Sequence, residues 1–310
     1  RSFRTQTTKA LFQKDCAEFR LYYEIEHEKM RSTQVELEFK GHEKILLIDG
    51  NRVRKMADFI GLFPVVPLHA GDLMILKGAP LERRRFFDMT FASIDAEYFQ
   101  ALRLYHRSLQ ERNRLLKMEA NASAFSAFEK ELAQHADSLI RKRQAGIEKL
   151  GKILSEVYAA FAKDAEAPCL SYKVDISLES VEAYEQLFYD NRKRDSLIGS
   201  TQKGPHRDDY NINLAIGGAK EYGSDGQQRA LCVALRFAQA QLFDAVLGIK
   251  PVLLVDDVLG ELDPICRQGF WDTCPKDSQI IASGTEFMTD KQAGDWVVWN
   301  VSQGAFARNA

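Results

Sequence analysis

The sequence predicts an α/β fold of mixed sheets with flanking helices, into which an antiparallel helical arm is inserted. Three observations predict it. Apolar and polar side chains alternate with a period of two through the first part of the chain. The spacing then changes to three-to-four, and afterwards helical and strand-like patterns alternate to the end.

Each element follows from its own pattern. FRLYYEIEHE (Phe19–Glu28) and QVELEFKGHEKILLIDG (Gln34–Gly50) read as strands with turns between them. FPVVPLHAGDLMILKGAP (Phe63–Pro80) reads as a strand-like run closed by turn residues, and LERRRFFDMTFA follows it. From Asp95, Phe99, Leu102, Tyr105, Leu109 and Leu116 recur at helical spacing. After a break at EANAS, Phe125, Phe128, Leu132, His135, Leu139, Leu150, Leu154 and Phe161 do the same. Two amphipathic helices joined by a short polar turn make an arm, with His135 a seam residue on its apolar stripe. GSTQKGPHRDDYNINLAIGG (Gly199–Gly218) is a loop and then a strand. A helix opened by SDGQQ, the strand PVLLVDD, a helix around Pro264–Cys274, the strand SQIIASG and a last strand DWVVWNVSQG complete the chain. The expected division is 1–94 for the first part of the main domain, 95–195 for the arm and 196–310 for the second part.

Bulk composition excludes little. Lys+Arg 42 against Asp+Glu 44 gives a net charge of -2, so overall charge announces no polyanionic partner. Its distribution says more: Arg103–Lys152 is rich in Lys and Arg, whereas Glu156–Asp190 is acidic. That asymmetry fits an anion-binding stripe or two solvated helix faces. Arg83, Arg84 and Arg85 stand beside the pair Phe86–Phe87, and Arg103, Arg107, Arg112 and Arg114 recur along the first arm helix. Such runs bind DNA phosphates without reading sequence, and a charged solvated surface has the same pattern. The five cysteines are scattered without a C-x-x-C, which fits a reducing cytosol and free thiols at Cys232 and Cys266. No signal peptide or membrane-length apolar run is legible, so the expectation is a cytoplasmic protein without a membrane partner. The opening RSFRT, without Met, suggests a start inside a larger polypeptide.

Two stretches carry chemistry. In PVLLVDD an apolar strand ends in two aspartates, which is how a parallel strand delivers carboxylates to the ligand-binding edge of a sheet. Asp256 is placed to hold Mg²⁺, and Asp257 to orient or deprotonate a water that attacks a γ-phosphate. A strand ending in a polar turn explains the same residues. In YGSDGQQRAL, Ser224 or Asp225 can cap a helix whose apolar face is Ala230, Leu231, Ala234, Leu235, Ala238 and Leu242. The free N–H groups of its first turn favour an anion, and Gly226 lets a phosphate approach the backbone. An ordinary capped helix reads alike.

Order and spacing connect the two. A Ser-x-Gly-Gln helix mouth, an apolar strand ending in Asp-Asp and GELD (Gly260–Asp263) are similar to the signature motif, Walker B and D-loop of ATP-binding-cassette ATPases. Together with FRT, KGAPLERRRFFD, the inserted arm with its QERNRLLK and KGPHRDD, the chain resembles the RecF family of bacterial recombination-mediator ATPases, from Arg1 to about Gly304. The resemblance implies an ABC-type, SMC-like ATPase head that dimerises around ATP and Mg²⁺. It implies DNA as partner, with gapped or junction sites, and a RecO, RecR and RecA pathway. By position, Ser224, Gly226 and Gln227 would contact the γ-phosphate held by a second head, Asp256 would serve Mg²⁺, Asp257 would be catalytic and Asp263 would lie at the dimer interface. His206 and Arg207 enter only as family markers.

Several positions depart from the family's pattern. Leu68 to Asp72 keep only the final acid of the stretch expected before the KG turn, and IASGTEF has no histidine, leaving Ser283 or Thr285 to sense phosphate. A P-loop needs G-x-x-x-x-G-K-[ST]. The near match GIEKLGKI (Gly146–Ile153) ends in Ile and lies inside an arm helix. The resemblance implies a P-loop upstream of RSFRT, so these residues alone are expected to bind ATP weakly. A rival function is a DNA-binding or scaffold module that works without nucleotide. Another SMC-like head is the rival within the class, against which the short arm argues.

Overall fold

A computed structural model describes residues 8–41, 43–118, 121–161, 167–262, 264–275, 277–285 and 296–308. The first strands form an antiparallel sheet in chain order, β1 (Glu18–His27), β2 (Met30–Lys40), β3 (Glu43–Ile48) and β4 (Asn51–Arg52). Register puts like with like: Phe19 faces Phe39, their rings stacked 4.5 Å apart, and Leu21 faces Leu37. Such cross-strand pairs are what stabilise a sheet.

β5 (Val65–His69) belongs to a second sheet, and the strand-like run ends there. The rest of it folds as a helix, α1 (Leu73–Lys77), because LMILK does not alternate and buries the adjacent Ile75 and Leu76. α2 (Pro80–Ile94) starts with Pro at its first position, where a missing N–H costs nothing. α3 (Ala96–Lys117), capped by Asp95, and α4 (Ala122–Phe161) are the two expected arm helices and pack together. The C-terminal half of α4 lies against α8 (Asp225–Leu247), burying Leu150, Leu154 and Tyr158. The near match to a P-loop falls inside α4. Its Gly146 has a packing reason, since a Cβ there would come within 2.7 Å of the Phe91 ring.

Beyond α4 come β6 (Cys169–Lys173), α5 (Val181–Asp190) and α6 (Arg192–Ile198). β7 (Asp209–Leu214) pairs with β6 and with β8 (Gly217–Gly218), and α7 (Ala219–Tyr222) leads into α8. β9 (Val252–Asp256), α9 (Val258–Glu261), α10 (Pro264–Thr273) and β10 (Ile280–Ser283) follow. The expected final strand is shorter, β11 (Trp299–Ser302), and Gly304, at φ +79°, turns it back into β12 (Ala305–Arg308).

The parallel sheet β10–β9–β5 reveals the topology, because β9 pairs along its whole length with β5, which precedes both arm helices. The arm is therefore an insertion between two strands of one sheet. Every predicted apolar position of α8 is buried, together with Val233 and Phe237. α8 is long and apolar enough to cross a bilayer, but 72% of its most apolar window is buried inside the protein. It is the core helix.

Candidate nucleotide site and nucleic-acid face

Parallel pairing aligns His69, Asp256 and Ser283 side by side at the carboxyl ends of β5, β9 and β10. The Ser283 hydroxyl donates to Asp256 Oδ1 at 2.5 Å. The next residue, Asp257, is exposed and takes the left-handed backbone conformation at φ +57°, with its N–H donating to the Ser283 carbonyl at 3.1 Å. The chain thus turns sharply after the strand, and Asp256 and Asp257 leave it in different directions. Thr285 is exposed beyond Ser283, and Asp263 lies outside the described residues.

Ser224 is the N-cap of α8. Its hydroxyl accepts from the Gln227 N–H at 3.2 Å, and the Gln227 side-chain oxygen accepts from the Ser224 N–H at 2.9 Å. This reciprocal pair settles two polar groups of the helix mouth and leaves the Asp225 and Gly226 N–H groups to other acceptors. Asp225 adds a carboxylate at that mouth, and Lys77 donates to it at 2.9 Å, which holds its pKa below the usual carboxylate range.

Residues 69–77 link the two groups. Arg236, on the third turn of α8 past the mouth, grips Asp72 through both carboxylate oxygens, at 2.5 and 3.1 Å, and stacks over Phe86 at 4.9 Å. Asp72 in turn accepts from the His69 N–H at 3.2 Å. Gly71 is required here, since a Cβ would meet the His69 ring at 2.7 Å. The segment is clamped to α8 by Arg236 at one end and by Lys77 at the other. Sequence reasoning singled out Asp72 only as the surviving acid of its stretch and gave Lys77 and Arg236 no role, because only the fold brings their partners near.

The seven arginines nominated for DNA separate into two groups. Arg85, Arg103, Arg107 and Arg114 are exposed, the last three on one stripe of α3. The other three correct the sequence expectation, because folding occupies them. Arg83 makes a bidentate pair with Asp209, at 2.7 and 2.9 Å, and donates to the Gly78 carbonyl. Arg84 donates to the Asp208 carbonyl at 2.6 Å. Arg112 is 0% exposed and donates to Glu129 at 3.1 Å and to Asp195, Thr201 and the Phe188 carbonyl at 2.7 Å each. No phosphate reaches it.

The GPHRDD stretch has a physical task as well. His206 Nε2 lies 2.9 Å from the Thr201 carbonyl, which can only accept, so Nε2 carries the proton. Nδ1 then accepts from the Tyr105 hydroxyl at 2.7 Å. Burial first, and then Arg207, His106 and Arg84, push the imidazole down to about 4, so it is neutral at pH 7. Asp208 meets the buried Arg143, which also grips Asp88 at 2.9 and 3.0 Å. The stretch fastens the loop before β7 to α2, α3 and α4.

The chain is similar to known proteins in sequence and in fold. The chain is 35% identical over 255 residues to the DNA replication and repair protein RecF of Clostridium perfringens, covering 81% of this chain and 70% of the relative. It is 31% identical over 243 residues to that of Cytophaga hutchinsonii, covering 77% of this chain and 64% of the relative. The chain belongs to the RecF family of DNA replication and repair proteins. With the Clostridium tetani RecF the match extends over the whole chain, at 29% identity and 87% of the relative. The fold superposes on the recombination mediator protein RecF-ATP with TM-score 0.89 at 24% identity, covering 100% of this chain and 85% of that one. It also resembles an Smc head at TM-score 0.50 and 15% identity, covering 94% and 73%. RecF and the Smc head share the α/β ATPase-head architecture found here. No protein-family model matches the chain.

Proposed function

We propose that this RecF-family chain acts as an ATP-dependent, DNA-binding ATPase head in recombinational repair and replication. One observation carries the reading: an aspartate pair at the carboxyl edge of a parallel sheet, with Ser283 on the first acid, in the same chain as a self-capped Ser-x-Gly-Gln helix mouth. In the proposed cycle two heads associate around ATP, and Ser224, the Gly226 N–H and Gln227 meet the γ-phosphate carried by the other head. Asp263 takes its place at that dimer interface. Residues 1–94 and 196–310 are the two parts of the head, and 95–195 is the arm.

Asp256 fits Mg²⁺. The carboxylate and the adjoining Ser283 hydroxyl offer hard oxygen donors, and Mg²⁺ binds through one or two such groups while keeping waters and phosphate oxygens. When bound, the ion neutralises charge on the phosphates. Asp257, turned away by its left-handed backbone, orients the attacking water and accepts its proton.

The exposed Arg85, Arg103, Arg107 and Arg114 hold DNA through its phosphates. Gapped or junction DNA, and action beside RecO and RecR to assist RecA loading, complete the proposal.

The test is Asp257→Asn, which keeps size and removes the base. Measured in a polypeptide that carries a P-loop together with these residues, phosphate release should fall about 10²–10⁴-fold, while ATP affinity stays within about twofold. Unchanged turnover removes Asp257 from the mechanism.

A further inference from the structure

Helix α6 is inside out. Its one acid, Asp195, is 0% exposed, whereas Leu197 is 90% and Ile198 54% exposed. The cause is the buried Arg112, whose guanidinium holds Asp195 Oδ2 at 2.7 Å, while Oδ1 accepts from the Gln202 N–H at 3.1 Å. With Asp195 pinned inward, a residue two positions later points about 200° round the helix and must face solvent. The helix stops at once, at Gly199 with φ +74°, so the two aliphatic side chains stand at the tip of the helix.

The surroundings of that tip are cationic. Lys193 and Arg194 lie one turn back on α6 and are exposed. The Lys117 stem lies against Gly199, since a Cβ there would be 3.5 Å from its Cγ. Lys117 ends α3, along which Arg114, Arg107 and Arg103 form the exposed stripe. From Arg103 to Lys117 the stripe runs about 21 Å along the helix, or about six nucleotides of one strand at 3.4 Å each. A basic track that ends in an aliphatic knob matches a strand held by its phosphates, with the knob against an exposed base face.

We propose that Leu197 and Ile198 form an apolar wedge that contacts the unstacked base step where single-stranded and duplex DNA meet. This rests on the DNA-binding reading above and adds to it the element that distinguishes an interrupted duplex from a continuous one. A continuous stack offers only its phosphates to this face, and binds the cations alone. An interrupted stack exposes a base face that aliphatic side chains can cover.

The test uses the protein with Leu197→Ser/Ile198→Ser and two DNA probes, a continuous duplex and the same duplex carrying a single-stranded gap with 2-aminopurine at its edge. The variant should bind the gapped probe about tenfold more weakly, the loss of one base contact, and keep its affinity for the continuous duplex. The 2-aminopurine signal that wild-type protein induces should disappear with the variant, while Leu197→Phe keeps it. A charge control, Arg103→Ala/Arg107→Ala/Arg114→Ala, should weaken both probes alike and flatten the salt dependence. Equal binding of both probes by wild type and serine variant overturns the wedge and leaves the DNA reading standing. No DNA binding by the wild type overturns both. Loss of a protein partner by the serine variant, with gapped-DNA binding intact, makes the tip a protein interface and also overturns the proposal.

Discussion

Arg112→Met tests the sharpest disagreement between the sequence pattern and the fold. On the pattern, Arg112 is a phosphate contact like its neighbours on α3; in the structure it is the centre of a buried polar cluster. Glu129 keeps the bidentate Arg192 when Arg112 is removed, but Asp195 keeps only the Gln202 N–H. The Thr201 hydroxyl and the Phe188 carbonyl lose a donor as well. Breaking a buried pair by removing one partner costs about 3–5 kcal/mol, because the other charge stays buried without compensation. At roughly 2 °C per kcal/mol for a chain of this size, the melting midpoint should fall by about 6–10 °C. Arg112→Met/Asp195→Leu, which removes the orphaned charge too, should recover much of that loss. Thermal unfolding followed by circular dichroism, beside a DNA-binding assay on the folded variants, reads both quantities. A midpoint within about 2 °C of wild type with DNA affinity lost would refute the reasoning and return Arg112 to the nucleic-acid face.

Three further outcomes follow from the site. In a polypeptide that carries a P-loop together with these residues, Ser224→Arg places a long cation where the other head's γ-phosphate docks, so ATP-driven dimerisation should fail while ATP affinity of the monomer holds; sedimentation with and without ATP checks it, and normal dimerisation refutes docking in trans. Lys77→Ala takes from the Asp225 carboxylate its hydrogen-bonded cation at an anion site and should weaken the same dimerisation several-fold, whereas Lys77→Ala/Asp225→Asn should restore it. His206, pushed down to about 4 by burial, binds its proton more readily in the unfolded chain at 6.5, so the stability it contributes is full above pH 6.5 and is lost as pH falls from there towards 4. The loss is about 3 kcal/mol across that window, and melting curves of His206→Gln should be flatter with pH by that amount.

The sequence made some of this legible and hid the rest for physical reasons. Periodicity exposed α3, α4 and α8, because each buries a continuous face and so writes its period into the chain, and β9 was legible as an unbroken apolar run ending in two aspartates. It misread Leu73–Lys77, where five residues are too few to distinguish a buried helix from a buried strand. The Ser224 cap and the Asp256–Asp257 strand end were readable because capping and strand-edge chemistry are local. Ser283 was readable as a position, but its bond to Asp256 depends on parallel pairing between strands far apart in the chain.

The arginines show where local reading fails. Arg103, Arg107, Arg112 and Arg114 look alike along α3, yet the 3.6-residue turn sends Arg112 to the face that carries Leu109 and Leu116. An arginine on an apolar stripe is a buried-network residue, and the acids that satisfy it come from elsewhere: Glu129 on the antiparallel partner helix, Asp195 on α6. The same pairing explains why α6 hides its acid and shows its leucine. An amphipathic pattern therefore identifies a buried charge only when its partner is visible, and here the partner was visible only once α3, α4 and α6 were assembled.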